Sequence, residues 1–217
     1  MTDFNTQTHS SSIESLDEQE AEKALRLGRN YLHGDGMPRD EEEAIRLFSI
    51  ASAKGNTNAD IQLGIMYARG IGVSKNPDKA LEMFHTASEL GNYEADYVLG
   101  NMYSTGNFMP KDPDKAVQLF DRAAKNGHTN AAFTLAEFYL TGENVMENKE
   151  EAARLFQIAA DKGHVDASFC LAEMYKNGDG IPVDYEKAAQ LYRFAADNGR
   201  EEAAFLGTLC ELSANSN

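Results

Sequence analysis

The side chains that most often carry chemistry are scattered in this 217-residue sequence. Its histidines lack the i, i+4 pairing of a helical metal site, and no G-x-S-x-G, S-x-x-K or phosphate-binding loop occurs. The five histidines are His9, His33, His85, His128 and His164. His128 and His164 each follow a glycine, and we interpret them as turn residues that face solvent. We therefore predict no catalytic residue, no metal site and no cofactor.

The cysteines and the acidic runs have simpler explanations than catalysis. Cys170 and Cys210 lack a close cysteine partner or basic neighbours, so we interpret them as separate reduced thiols, with a shared redox role as the alternative. The acidic runs at 41–43 and 150–151 fall where helices are expected to begin, and the helix dipole favours negative charge there. Without a disulfide framework or a secretory signal, we expect a cytoplasmic protein.

The net charge of the chain limits the classes of partner that we expect. The sequence has 20 Lys and Arg against 35 Asp and Glu, which gives a net charge of −15. Nucleic acids and anionic membrane surfaces would repel this chain, and no stretch approaches the ~20 apolar residues of a membrane-spanning helix. A basic protein partner is compatible with the charge, although solubility alone would also explain it.

A spacing of 36 residues organises the sequence. Glycine, a small residue, tyrosine, alanine and a second aromatic each recur at this interval without insertion or deletion. The five sets are Gly55, Gly91, Gly127, Gly163 and Gly199; Gly28, Gly64, Gly100, Ala136 and Ala172; Tyr31, Tyr67, Tyr103, Tyr139 and Tyr175; Ala44, Ala80, Ala116, Ala152 and Ala188; and Phe48, Phe84, Phe120, Phe156 and Tyr192.

Each unit is typical of two helices, A and B, joined by a turn. In the second unit, Ala59, Leu63 and Tyr67 share one face of helix A, and Gly70 ends it. Helix B begins after an Asx residue in every unit, which predicts a side-chain cap on its free N–H groups. These caps are Asp40, Asn76, Asp112, Asn148 and Asp184. The small residues allow close packing of the two helices, and the aromatics fill the space between them.

The pattern from Asn58 to Gly91 resembles the Sel-one-like repeat, a 36-residue relative of the tetratricopeptide repeat. It contains Leu63-Gly64, Gly70-Ile71-Gly72-Val73 and Lys79-Ala80 at the family's positions. The resemblance implies an all-α protein, a right-handed α-solenoid of five helix–turn–helix repeats plus a C-terminal capping helix. We predict a flexible acidic tail over 1–20, a single solenoid over 21–212 and a polar tail over 213–217. The expected repeats are 21–56, 57–92, 93–128, 129–164 and 165–200, with the cap at 201–212.

The resemblance implies a non-enzymatic scaffold or adaptor for protein–protein interaction. In bacteria it includes regulatory, secretion-linked and toxin-neutralising proteins, so an acidic immunity-type protein is one expectation. The alternative is penicillin binding or weak β-lactamase activity, as in a cysteine-rich branch of the family. That branch has a disulfide in each repeat, whereas residues 21–164 contain no cysteine, which argues against it. The polar ends argue against end-to-end stacking, so we expect a monomer.

We expect a partner to bind where helices A line the concave surface. Our hypothesis is a groove in which aromatic anchors and nearby polar or acidic residues hold a basic or amphipathic segment of another protein. The predicted contacts are Tyr97, Asn101, Phe133, Glu137, Phe169 and Glu173, with Arg69 and Phe108 as further candidates. The aromatic stripe can equally be ordinary packing between neighbouring helices A.

One turn departs from the repeat pattern. Gly36, Gly72 and Gly180 occupy a turn position that suits a positive φ, and Asn144 tolerates it, but Phe108 should not. We therefore expect Asn107 to take the left-handed conformation, or the turn to be distorted, with Phe108 and Met109 partly exposed. At the other end, Glu211 replaces the tyrosine of the repeat, and we expect the capping helix to turn a polar outer face to water.

Overall fold

The computed structural model describes residues 4–215, with side chains described from residue 17 onward. Every regular element in this part of the chain is an α-helix, which confirms the predicted all-α class. The helices are α1 (Phe4–His33), α2 (Glu41–Ala53), α3 (Thr57–Arg69), α4 (Pro77–Glu89), α5 (Tyr93–Thr105), α6 (Pro113–Lys125), α7 (Thr129–Thr141), α8 (Lys149–Ala160), α9 (Val165–Asn177), α10 (Tyr185–Asp197) and α11 (Glu202–Ala214).

Odd-numbered helices correspond to helix A of a repeat and even-numbered helices to helix B. The chain forms two compact units, residues 1–98 and 99–217. In the first unit α1 packs on α2 and α3 on α4, and in the second α7 packs on α8, α9 on α10 and α10 on α11. Consecutive helix pairs that pack in this way are the architecture of an α-solenoid, as predicted.

The helix boundaries follow the predicted capping residues. Each of the five Asx residues accepts a hydrogen bond from the backbone N–H three residues ahead, with N···O distances of 2.9–3.1 Å. Gly70, Gly142 and Gly178 end their helices in the left-handed conformation. Asx caps therefore begin the five B helices, and left-handed glycines end three of the A helices.

The core of each repeat is an aromatic ring of helix B against a small residue of helix A. Phe48, Phe84, Phe120, Phe156 and Tyr192 are each at most 1% exposed. A Cβ atom added to Gly64 would lie 2.7 Å from the Phe84 ring, and Gly28 and Gly100 are equally close to their rings. We call this contact the aromatic–small pair. It requires the two helices to approach closely at one register.

The ends of the chain differ from the predicted tails. Residues 1–3 and 216–217 lie outside the described residues, but α1 already begins at Phe4, within the predicted tail 1–20. Asp17 and Glu20 of that segment form ion pairs with Lys54 of the first repeat, at 2.5 and 2.8 Å. The predicted polar tail at 213–217 begins inside α11, which continues to Ala214.

One turn differs from the sequence prediction in which residue takes the strained conformation. Phe108 itself has a φ of 68°, so the prediction that Asn107 would take the left-handed position is wrong. The reason is that the repeat demands a positive φ at this position whatever the side chain: Asn144 has 65°, and Gly36, Gly72 and Gly180 have 65–74°. Phe108 is 42% exposed, as expected.

A buried polar pair, unforeseen from the sequence, joins helix B to the next helix A in the first unit. The carboxylates of Asp60 and Asp96, 3% and 0% exposed, accept hydrogen bonds from the hydroxyls of Ser52 (2.5 Å) and Ser88 (2.6 Å). At the next 36-residue interval the same two positions hold Ala124, in the third repeat, and Ala132, in the fourth. Where the acid is absent the serine is absent too, so the two residues act as one unit.

We predict that Gly72→Ala destabilises the protein more than Gly36→Ala. Both glycines have a positive φ, where alanine costs about 1 kcal/mol. A Cβ on Gly72 would also lie 2.6 Å from the Cβ of Glu41, whereas one on Gly36 would meet nothing within 4 Å. Urea denaturation followed by circular dichroism measures the difference. Equal losses would show that the turn does not pack closely on the preceding repeat.

We predict a pH-dependent contribution from Asp60, because burial raises the pKa of its carboxyl, an effect only partly offset by the Ser52 hydrogen bond. A raised pKa means that the native state holds the proton more tightly than the unfolded state. Its contribution to stability is therefore present at low pH and is lost as pH rises through the folded-state pKa.

The test compares wild type with the double variant Ser52→Ala/Asp60→Ala, which copies Ala124 and Ala132. As pH rises above about 4, the ordinary pKa of an aspartate, the free energy of unfolding of the wild type should fall relative to that of the variant until the folded-state pKa of Asp60 is passed. A difference that is constant, or that changes in the opposite direction, would contradict the assignment.

Candidate partner-binding surface

The predicted contacts lie on three A helices and one turn. Helix α5 carries Tyr97 and Asn101, α7 carries Phe133 and Glu137, and α9 carries Phe169 and Glu173. Within this set only Glu137 is exposed, and the other five are half-buried. Arg69, the last residue of α3, and Phe108, in the turn after α5, are exposed. In the second unit we call Phe133, Glu137, Phe169 and Glu173 the A-helix surface.

The two phenylalanines of this surface pack within their own chain on two sides. The ring of Phe133 lies 5.7 Å from that of Phe156 and stacks on His164 at 4.5 Å with an interplanar angle of 16°. Phe169 contacts Tyr192 edge-on at 5.5 Å, and the guanidinium carbon of Arg200 lies 3.7 Å from the Phe169 ring centre. These contacts are packing within each repeat, between helix A, its own helix B and the residue that follows the helix-ending glycine, and part of each ring stays accessible.

His128 and His164 have a structural role that the sequence analysis missed. The Nδ1 atom of each accepts a hydrogen bond, at 3.1 Å, from the backbone N–H three residues ahead, so each caps its helix A. The interpretation as plain solvent-facing turn residues was therefore wrong. Asn56 caps α3 from the equivalent position, and that shared position was the available signal. Histidine is not a usual capping residue, which hid it.

Glu173 is held by its own chain. Its carboxylate accepts hydrogen bonds at 2.6 and 2.7 Å from the ammonium of Lys176, and a further one from the hydroxyl of Tyr192. Burial, together with the hydrogen bond to Glu173, raises the pKa of the Tyr192 hydroxyl, which therefore stays a donor. This network orders Glu173 and neutralises its charge.

Glu137 occupies the equivalent position one repeat earlier but has different companions. The positions of Lys176 and Tyr192 are taken there by Leu140 and Phe156, which have no group to donate. Burial by its surroundings and the negative charge of Asp166 raise the pKa of the Glu137 carboxyl. Among the described residues no ion pair involves Glu137. A cation from outside the chain would therefore stabilise its charged form.

The thiol beside this carboxyl is not activated. Cys170 is half-buried, and burial, reinforced by the charge of Glu137, raises its pKa to about 11. It therefore carries its proton at neutral pH, which is the opposite of what a nucleophilic cysteine needs. Cys210 is buried in α11, where burial also raises its pKa.

A concavity lies among helices α8, α9 and α10. It has a volume of about 520 Å³ and is lined in part by Gln157, Tyr175, Gln190 and Phe194. Lys187 borders it, with its ammonium 5.1 Å from the centre of the Tyr175 ring. Lys187 also forms an ion pair with Asp184, and the exposed carboxylate of Asp161, which lines the same cavity, accepts a hydrogen bond from the Gln157 side-chain amide at 2.7 Å.

Two further features concern the described residues as a whole. Within them, no three His, Cys, Asp or Glu side chains come together as a set that could hold a metal ion. None of the helices, in the same part of the chain, has both the length and the apolar character needed to cross a bilayer.

Several solved structures resemble this fold. A Sel1 repeat protein from Oxalobacter formigenes is 32% identical, with a TM-score of 0.78 over 84% of this chain and 75% of that one. A protective antigen of uropathogenic Escherichia coli is 28% identical with the same TM-score, and the match spans 84% of this chain but 39% of the antigen. An immunity protein from Pseudomonas aeruginosa is 25% identical, with a TM-score of 0.56 over 85% of this chain and 68% of that one. A comparison with curated proteins finds no match.

The comparison with protein families agrees with the 36-residue spacing of the sequence. A model of the Sel1 repeat matches residues 24–56, 57–92, 94–128, 129–164 and 165–199. These five matches cover most of the chain and confirm the resemblance seen in its sequence. Sel1 repeat proteins are generally protein-interaction scaffolds. The chain belongs to the Sel1 repeat family.

Proposed function

We propose that this protein is a non-enzymatic adaptor that binds a basic or amphipathic segment of another protein on its A-helix surface. The observation that carries the proposal is Glu137, a surface residue whose carboxylate forms no ion pair within the described chain and whose pKa is raised by partial desolvation and by the charge of Asp166. A Lys or Arg from a partner would remove this penalty and form a charge-assisted hydrogen bond.

The neighbouring rings supply the apolar part of the interface. Phe133 and Phe169 are fixed by His164, Phe156, Tyr192 and Arg200. Rings held in this way lose little entropy on binding, and their accessible parts flank the carboxylate. Apolar anchors beside an acidic group are suited to a partner helix with a cationic side chain among its apolar residues.

Within this proposal we favour an immunity-type role, in which the chain neutralises a basic toxin. Two observations support it: the similarity to an immunity protein of Pseudomonas aeruginosa and the net charge of −15. A strongly acidic protein attracts a basic partner over a distance and increases the rate of association. A regulatory adaptor with a basic partner would use the same surface.

The test is affinity capture from the source organism with the whole chain as bait, followed by measurement of the affinity for the captured protein. Glu137→Lys should weaken binding at least about tenfold, which corresponds to about 1.4 kcal/mol. Glu143→Lys is the matched control, because it makes the same charge change at an exposed turn residue of the same repeat. Binding should also weaken as salt concentration rises.

Two outcomes would contradict the proposal. One is equal weakening by Glu137→Lys and Glu143→Lys, which would reduce the effect to net charge. The other is full binding by Glu137→Lys together with loss of binding by Phe194→Lys, which would place the partner in the cavity beside α10. Glu173→Lys is a poorer probe, since it also breaks the contacts with Lys176 and Tyr192 and should lower stability.

A further inference from the structure

The last helix has an apolar outer face where the sequence analysis expected a polar one. Phe205, Leu209 and Leu212 are 68%, 43% and 62% exposed, and their spacing of four and three residues places them on one side of α11. The expectation of a polar capping face was therefore wrong. It was based on Glu211, which points to Arg193 and forms an ion pair with it.

The other A helices of this unit show what covers this face. In α9 the equivalent of Phe205 is Phe169, and it is covered by Tyr192 of α10 and by Arg200. In α7 it is Phe133, covered by Phe156 of α8 and by His164. In both repeats the cover is a neighbouring helix B that carries an aromatic ring. The exposed face of α11 therefore resembles the faces of α7 and α9 that a helix B covers.

The small-residue position of α11 is exposed as well. The residues equivalent to it in α7 and α9, Ala136 and Ala172, are fully buried, at the position where Gly28, Gly64 and Gly100 meet the ring of helix B. In α11 this position is Thr208, which is exposed, as is Ala204 one turn earlier. Two short side chains beside Phe205 and Leu209 allow another helix to approach closely.

We propose that this face binds the same face of a second copy, so that two α11 helices pack antiparallel about a two-fold axis. With the axis between Thr208 and Leu209, Phe205 lies opposite Leu212 of the second copy and Thr208 lies opposite Leu209. An antiparallel helix that carries an aromatic ring then covers each α11, as helix B does within the repeats. A two-fold contact of this kind is self-complementary and closes at two copies.

Charge favours this register. The central strip of Phe205, Thr208, Leu209 and Leu212 carries no ionisable group. Glu202, near the N-terminal end of α11, lies opposite Asn215 of the second copy, so no acid faces an acid. The antiparallel arrangement also places the positive end of each helix dipole beside the negative end of the other.

The dimer is expected to be reversible. Three large apolar side chains and two small ones per copy present less than the ~800 Å² per partner of a standard stable interface, so we expect a Kd in the micromolar range or weaker. Because each copy carries a net charge of −15, added salt should strengthen the dimer. Binding at Glu137 has the opposite salt dependence, which separates this proposal from the proposed function.

Sedimentation equilibrium on the whole chain, from micromolar to millimolar concentration, tests the proposal. Wild type should show a concentration-dependent dimer, and Leu212→Glu should raise its Kd at least about tenfold, because a charge would be buried against Phe205 of the second copy. Leu90→Glu is the matched control, since Leu90 has the same 62% exposure outside this face, and it should leave the Kd unchanged. A monomer at every concentration, or equal effects of the two variants, would overturn the proposal.

Disulfide formation provides a second measurement that does not depend on affinity alone. Thr208→Cys places a thiol next to the proposed axis and should form a covalent dimer under mild oxidation, with wild type as the background for the native thiols. Thr86→Cys, at an exposed threonine of α4, should cross-link no faster than wild type. Equal rates for the two variants would overturn the two-fold contact.

Discussion

The contact between an aromatic ring of helix B and a small residue of helix A is the constraint on which the rest of this structure depends. Phe84 lies against Gly64 so closely that a single added carbon would be 2.7 Å from the ring. This distance permits only one register between the two helices. The capping residues fix where the two paired helices begin and end: Gly70 ends α3 and Asn76 begins α4.

The proposed binding depends on residues that the repeats do not share. Glu137 and Glu173 occupy the same position in consecutive repeats, yet Glu173 is neutralised by Lys176 and Tyr192 while Glu137 is not. The two positions are equivalent in the repeat, and the difference arises because Leu140 and Phe156 stand where the next repeat has Lys176 and Tyr192. The same reasoning applies to α11, where an A-helix position that elsewhere is covered by helix B becomes an exposed apolar face.

The sequence predicted the features that depend on local geometry. The Asx caps, the helix-ending Gly70, the all-α class and the exposure of Phe108 could be derived because each depends on neighbours a few residues away. What it missed depends on contacts between positions far apart in the chain. The stacking of His164 on Phe133 and the ion pair of Glu211 with Arg193 become visible only once the helices are packed.

Two features that were not predicted, the buried Ser–Asp pairs and the positive φ of Phe108, do have a signal in the 36-residue spacing. Ser52 with Asp60, and Ser88 with Asp96, are replaced together by Ala124 and Ala132 at the next 36-residue interval, a joint change that indicates contact. The positive φ of Phe108 followed from the glycines at the equivalent positions, because a repeat imposes its backbone on every copy.

The most direct measurement of the account is the free energy of unfolding of Gly64→Ala compared with that of the wild type. Alanine normally stabilises a helix by about 1 kcal/mol relative to glycine, so the account predicts a net loss caused by the clash with Phe84, and a gain of that size would contradict it.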